Sequence, residues 1–134
     1  MPEIQKPQER KPERIAAAQA VLVAFLEAWR DKRWEAMAAS ATLTWRSKRP
    51  HPAEELAHRY NPLLPTSWKA EDITGTLVTL VVYDARVICR MAVLGEDTLS
   101  QIAVRLVCER GPYNPHDTGK WGVAVDSIQP RRHY

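Results

Sequence analysis

The sequence predicts an α+β fold in which two to three N-terminal helices pack on a four-stranded antiparallel sheet. Two patterns of apolar residues, and the order in which they occur, predict it. Up to about residue 60, apolar residues recur at three- and four-residue steps, the period of a helix with one buried face. From about residue 70 they recur at every second residue, which is typical of strands. Because the helices come first and the strands follow, the order favours α+β over an alternating α/β fold.

The N-terminal half contains three helical patterns. The first opens at Pro12, whose missing N–H would be unpaired in the first turn of a helix, and ends before Asp31. The second covers residues 34–45. The third, 52–60, has acidic residues in its first turn and basic ones near its end, as the helix dipole favours. The apolar stripe of the first helix consists of Ile15, Ala18, Leu22, Phe25, Leu26 and Trp29.

Four strand patterns follow, and their pairing can be predicted from the turns between them. With turns at Asp84-Ala85 and Glu96-Asp97, apolar residues face apolar residues across both hairpins, whereas a shift of one residue would oppose them with polar ones. The strand patterns cover residues 70–83, 85–94, 98–110 and 120–129. The inner face, which the helices should cover, is then a continuous apolar surface of Val78, Leu80, Val82, Val87, Cys89, Met91, Ile102, Val104 and Leu106.

The two cysteines, Cys89 and Cys108, both lie on this inner face. The predicted pairing places Cys108 opposite Ala85, four residues along the strand from Cys89, or roughly 13 Å at the rise of a strand. A disulfide needs Cα atoms within about 7 Å of each other. We therefore expect two free thiols.

The opposite, outer face of the predicted sheet mixes aliphatic and arginine side chains. A face that contacts only water is normally more polar, and this mixture is typical of a protein interface. The alternative is an ordinary solvent-facing side with scattered aliphatic residues, which are common on protein surfaces. The interface candidates on this face are Tyr83, Arg86, Ile88, Arg90, Arg105 and Val107.

The length of 134 residues allows one domain, residues 13–130, between an extended arm, 1–12, and a basic tail, 131–134. The proline-punctuated arm is either an unstructured terminus or a segment docked on a partner protein. Basic residues outnumber acidic ones by 19 to 16, and a net charge of +3 is too small to indicate nucleic-acid binding. No apolar stretch reaches the roughly 20 residues of a membrane span, and no export signal is present. We expect a cytoplasmic protein or a virion component without membrane contact.

Three segments of the chain share their pattern with one known group of domains. In residues 25–37, FLEAWRDKRWEAM, a first helix ends on an aromatic residue and a Trp-Glu-Ala sequence starts the second, which resembles the opening of domains of the nuclear transport factor 2-like superfamily, with its cystatin-like fold. Residues 84–87, DARV, resemble the hairpin before their central strand, and residues 119–123, GKWGV, resemble their closing strand. The likeness covers about residues 13–130 and is strongest for small bacterial and phage members of unknown function. It implies a curved sheet that forms a cone with the helices.

Enzymatic members of this superfamily hold an acid or a histidine base inside the cone. The inner faces predicted here contain no Asp, Glu or His, so no such motif carries over. His51 and His58 lie seven residues apart without a positioned acid, and we predict neither a metal site nor a cofactor. Short basic clusters at 46–49 and 131–133 are candidates for phosphate contact, although such runs are commonly just solvated.

Large aromatic residues either fill the core or line a pocket for an apolar ligand at the open end of the cone. Trp29 and Trp121 have core-like spacing, whereas the residues nearer to prolines are better placed at a rim. The ligand-pocket candidates are Trp45, Tyr60, Trp68, Met91 and Trp121.

These observations predict a non-enzymatic interaction or assembly module that self-associates through the sheet face, as a homodimer or a larger assembly. The alternative, which the resemblance implies, is a cone that binds a small hydrophobic ligand or acts as an isomerase, cyclase or dehydratase. An interaction module should have a filled cone and a buried sheet face in the dimer. A ligand binder should have an open cavity with convergent polar groups.

Overall fold

The computed structural model describes residues 11–132, which form four helices followed by an antiparallel sheet. The α+β class predicted from the sequence is confirmed. The helices are α1 (Lys11–Arg30), α2 (Trp34–Ala39), α3 (Leu43–Ser47) and α4 (Pro52–Tyr60). The strands are β1 (Leu63–Val78), β2 (Val82–Val93), β3 (Glu96–Gly111), β4 (Asn114–Pro115) and β5 (Lys120–Arg132). Apart from the start of α1, the predicted arm lies outside the described residues, as do the last two residues of the predicted tail.

The second predicted helix is wrong, because two short helices replace it. Between them Ala41 forms a parallel bridge with Val123 of β5, and the Thr42 N–H donates to the carbonyl of Val123 at 3.0 Å. The Thr42 hydroxyl then accepts a hydrogen bond from the Trp45 N–H at 3.1 Å and caps α3. The helical chain therefore breaks in order to pair with the sheet, a tertiary contact that no local pattern contains.

The central strands, β2 and β3, pair along their whole length, and their turn differs from the predicted one. Val93 pairs with Glu96, so the turn residues are Leu94 and Gly95, both with positive φ (52° and 88°). A two-residue hairpin turn with positive φ at both positions favours glycine at the second, which Gly95 supplies and the pair Glu96-Asp97 does not. The predicted pairing is therefore displaced by an even number of residues. An even displacement keeps every side chain on its predicted face.

The first hairpin also turns at a different place. Thr79 closes the turn, with its N–H donating to the Val82 carbonyl at 2.8 Å and its hydroxyl accepting from the Val82 N–H at 2.9 Å. Asp84 and Ala85, predicted as a turn, lie inside β2. Strand β1 begins at Leu63, earlier than predicted, and includes Pro65, which an edge strand tolerates because its missing N–H need not pair.

The two strands on either side of the central pair, β1 and β5, each contain a large bulge. In β1, residues 69–72 lie opposite the single residue Ile88, and in β5, residues 125–128 lie opposite Val104. Such insertions bend the strand that carries them and increase its twist. They account for the curved, unclosed sheet on which the helices pack.

The inner face of the sheet is the apolar surface that alternation predicted, with corrections near the first turn. Val87, Cys89, Met91, Ile102, Val104 and Leu106 are buried, as predicted. Leu80 is 42% exposed because the chain turns there, and Val78 at the end of β1 is only half-buried. The placement of Val82 is wrong: it is the first residue of β2, pairs with Val107, and points to the outer face because its neighbour Tyr83 points inward. Ala85 and Tyr83 take their place on the inner face.

Helix α1 covers this face and completes the core. Its buried side chains are Ala18, Leu22, Phe25, Leu26, Ala28 and Trp29. The indole N–H of Trp29 donates to the carbonyl of Leu63 at 2.7 Å, and its ring lies 4.9 Å from that of Tyr60. Cys89 and Cys108 are both buried and free, as predicted, although Cys108 lies beside Val81 rather than Ala85. Burial raises the pKa of the Cys89 thiol to about 11.

Candidate functional site

The outer face of the sheet presents arginine and aliphatic side chains in alternating rows. The described helices pack on the other face, so these side chains remain exposed or half-buried. Arg86, Arg90 and Arg105 are exposed, Ile88 is half-buried between Arg86 and Arg90, and Val107 is half-buried beside Arg105. Because β2 and β3 are paired without interruption, neighbouring rows are held in a fixed register.

Two of the three arginines form cross-strand ion pairs. Arg105 and Asp84 are register partners, and the guanidinium binds the carboxylate through two hydrogen bonds, Nε to Oδ1 at 2.7 Å and Nη2 to Oδ2 at 2.9 Å. The hydrogen bond and the charge of Asp84 raise the pKa of Arg105. Arg90 Nε contacts Asp97 Oδ2 at 2.9 Å. Within the described residues, Arg86 has no carboxylate oxygen within 4.0 Å.

The bulge in β5 leaves a shallow depression of about 300 Å³ beside the Asp84–Arg105 pair. At the bulge, the Ser127 hydroxyl replaces the strand's own pairing: it accepts from the Arg105 N–H at 2.9 Å and donates to the Ala124 carbonyl at 2.6 Å. The depression is lined by Thr76, Asp84, Ala85, Ala103, Val104, Arg105, Ser127 and Gln129.

Five of the six predicted interface candidates lie together on this face: Arg86, Ile88, Arg90, Arg105 and Val107. The placement of Tyr83 is wrong. It is 1% exposed in the core, where its hydroxyl accepts a hydrogen bond from Gln19 Nε2 at 3.0 Å. The error follows from the misplaced turn, because Tyr83 belongs to β2 and the alternation of that strand points it inward.

The sequence predicts neither Asp84 nor Ser127 as a member of this face, although both line the depression. The predicted turn includes Asp84, although its spacing from Arg86, Ile88 and Arg90 matches their alternation. No sequence signal marks Ser127, because its position depends on the bulge. We name the surface formed by Asp84, Arg86, Ile88, Arg90 and Arg105, with their neighbours on β1, β3 and β5, the outer sheet face.

The predicted ligand-pocket residues are dispersed over other contacts, and none of them lines the depression. Each of three tryptophans has an arginine over its ring: Arg49 lies 4.3 Å from the ring centroid of Trp45, Arg30 lies 5.3 Å from Trp68, and Arg14 lies 5.7 Å from Trp121. Tyr60 packs against Trp29, and Met91 lies on the inner face with its sulfur 3.4 Å from that of Cys89.

At the other end of β3, Glu109 is a buried carboxylate with a clear structural task. It is 4% exposed, and its Oε1 accepts hydrogen bonds from the backbone N–H groups of Leu43 at 2.8 Å and Thr44 at 3.4 Å. Its Oε2 accepts from the Thr44 hydroxyl, which in turn accepts from the Tyr113 N–H at 2.7 Å. The carboxylate thus satisfies the free N–H groups at the start of α3 and ties the following loop to this helix.

Among the described residues, no group of three or more His, Cys, Asp or Glu side chains is placed to bind a metal ion. His51 and His58 are exposed, and His116 Nδ1 contacts Asp117 at 3.2 Å within its own loop. No helix in residues 11–132 is long and apolar enough to cross a membrane. Compared with models of known families and with curated proteins, the chain matches none.

Proposed function

We propose that this chain is a non-enzymatic association module that pairs with a second copy of itself through the outer sheet face. The observation that carries the proposal is the composition of this face. Half-buried aliphatic side chains alternate with exposed arginines on two strands whose register is fixed. Arginine interleaved with apolar area is characteristic of protein interfaces, because its stem packs while its guanidinium forms hydrogen bonds.

The charges of the face favour a second copy as the partner. A two-fold interface brings the same surface of both copies together, so the surface must be complementary to itself. The outer sheet face carries both signs, with Asp84 and Asp97 among its arginines. Arg86, which has no carboxylate partner among the described residues, can then pair with a carboxylate of the other copy.

The filled interior of the fold also favours an association module rather than a cone that binds a ligand or catalyses a reaction. A cone that takes a ligand needs open space between its helices and its sheet. The largest side chains in that position belong to one buried cluster, among them Trp29, Phe25, Met37 and Leu106. The polar groups that converge beside a depression lie on the outer face instead.

Sedimentation velocity on the full chain at tens of micromolar tests the proposal. We expect a dimer, or a larger assembly built on the same face, that Arg105→Glu or Ile88→Glu converts to monomer. Arg105→Glu sets a second carboxylate beside Asp84, and Ile88→Glu replaces apolar contact area with a charge that would lose its water on association, so both changes oppose pairing of the two copies. Arg33→Glu, the same charge change at an exposed position between α1 and α2, is the matched control and should leave the assembly intact.

A wild-type chain that remains monomeric over this concentration range contradicts the proposal. So does a dimer that survives both outer-face substitutions. Circular dichroism of each variant separates loss of association from loss of folding.

A further inference from the structure

A second group of charged side chains lies on the helical side of the molecule, where α3 and α4 approach the bulge of β5. Arg49 follows α3, Arg59 belongs to the last turn of α4, and Asp126 is a bulge residue. The Asp126 carboxylate directs one oxygen to each arginine, Oδ2 to Arg49 Nη2 at 3.4 Å and Oδ1 to Arg59 Nη1 at 3.2 Å. Three separate parts of the chain therefore meet at one carboxylate.

Arg49 is held firmly in this position. Its guanidinium stacks over the ring of Trp45 at 4.3 Å, its Nη1 donates to the Trp45 carbonyl at 3.0 Å, and its Nε pairs with Glu55. The side chain is only 16% exposed. An arginine fixed by stacking and by two other hydrogen bonds loses little freedom when its remaining N–H groups bind a ligand.

The indole N–H of Trp45 is a third donor at this place. Trp45 is 4% exposed, and its Nε1 is buried without a hydrogen-bond partner among the described residues. A buried donor without an acceptor is uncommon in folded proteins. Burial acts to raise the pKa of Asp126, but the hydrogen bond from Arg59 and the charges of Arg49 and Arg59 outweigh it and hold the pKa low.

The Asp126 carboxylate is bound only weakly by the two arginines. Its side chain is 60% exposed, and both of its contacts with arginine are longer than 3.0 Å. The Asp84–Arg105 pair shows what a matched carboxylate achieves in the same molecule, with two hydrogen bonds of 2.7 and 2.9 Å to a single guanidinium. Asp126 instead contacts each guanidinium through a single oxygen, so neither of its arginine contacts is bidentate.

We propose that Arg49, Arg59 and the indole N–H of Trp45 form a binding site for a phosphate group, and that Asp126 occupies this site in the free protein. A phosphate is tetrahedral, so it can offer a separate oxygen to each of the three donors. It also carries more negative charge than the carboxylate it displaces, and arginine pairs strongly with phosphate. The proposal is independent of self-association, because the site lies on the helical side rather than on the outer sheet face.

The test is a titration of the full chain followed by NMR at the assigned Trp45 indole N–H, with ionic strength held constant by sodium chloride. Inorganic phosphate and phenyl phosphate are the two probes. We expect both to shift this resonance, and Asp126→Asn to tighten phosphate binding by about fivefold, because the competing carboxylate is lost. Asp97→Asn, which removes a carboxylate from the exposed pair with Arg90, is the matched control and should leave the affinity unchanged.

Arg59→Gln should weaken binding by at least about fivefold, since it removes one of the two cations. Equal affinity for the two probes indicates that free phosphate is the ligand, whereas tighter binding of phenyl phosphate indicates a phosphate ester. The proposal is overturned if Asp126→Asn and Asp97→Asn change the affinity alike, or if sodium chloride alone shifts the Trp45 resonance as far as phosphate does. The Asp126→Asn result decides even if the Arg59 variant does not fold.

Discussion

The two faces of β2 and β3 belong to the same strands but differ in almost every respect. On the side that faces the helices, the side chains are at most 1% exposed at Val87, Met91, Ile102 and Leu106. Toward the outside, the intervening residues include three exposed arginines and half-buried aliphatic side chains. The inner face stabilises the fold by removing apolar surface from water. The outer face contributes little to that core, so folding does not restrict which residues it presents for contact with another protein.

The largest effect is expected on the inner side, at Trp29. This fully buried residue fills the core between α1 and β1 and hydrogen-bonds to Leu63. Trp29→Ala should lower the free energy of unfolding by about 4 kcal/mol, because it leaves a cavity and an unpaired carbonyl. Urea unfolding followed by circular dichroism measures the loss. Trp29→Phe, which refills most of the volume, should lose clearly less, and equal losses in the two variants would contradict this account.

A smaller loss of stability is expected at Gly122, where the backbone of β5 is in direct contact with the backbone of the segment between α2 and α3. A Cβ added to Gly122 would lie 2.8 Å from the Cα and N atoms of Thr42, closer than packed atoms allow. Gly122→Ala should therefore force the 41–42 segment away from β5 and cost about 2 kcal/mol in thermal or urea unfolding. Gly111→Ala is the control, because a Cβ there meets nothing within 4 Å. If the control variant is destabilised as much, close approach is not the reason for glycine at position 122.

The smallest effect on folding is expected on the outer sheet face. Arg105→Ala removes the two hydrogen bonds with Asp84, but the arginine side chain is 49% exposed, so water compensates for most of the loss. The free energy of unfolding should fall by less than about 1 kcal/mol when it is measured at low micromolar concentration, where self-association contributes least. A loss comparable to that of Trp29→Ala would show that the two faces are not energetically distinct.

Several elements could be predicted from the sequence because their signals are local. The apolar stripe of α1, the proline and acidic start of α4, and the alternation of β2 and β3 depend on residues a few positions apart. Alternation also predicted the correct faces for Arg86, Ile88, Arg90 and Arg105, although the register itself was displaced. An even displacement leaves every side chain on its predicted face, so the surface of arginine and aliphatic residues is predicted correctly although the turn between β2 and β3 is not.

The failures all involve contacts between distant segments. The helical pattern at 34–45 gave no sign that Ala41 and Thr42 pair with Val123. The prediction of a first turn at Asp84-Ala85 is wrong because no glycine or proline marks the actual turn at Thr79, and with that turn Tyr83 is predicted on the wrong face. The bulges of β1 and β5 could not be predicted either, because they depend on how each strand pairs with a distant one. A bulge is recognised only by comparison with the strand beside it.

The sequence by itself determined the fold class, the burial pattern of the central strands and the free state of both cysteines. Each depends on the spacing of apolar residues, since hydrophobic burial acts through the fixed periods of helix and strand. Only the tertiary structure decided where the chain turns, where β5 bulges, and which charged groups meet. The depression beside Arg105 and the meeting of Arg49, Arg59 and Asp126 both depend on that bulge. It exists because backbone pairing with a distant strand, rather than any local preference, fixes the path of β5.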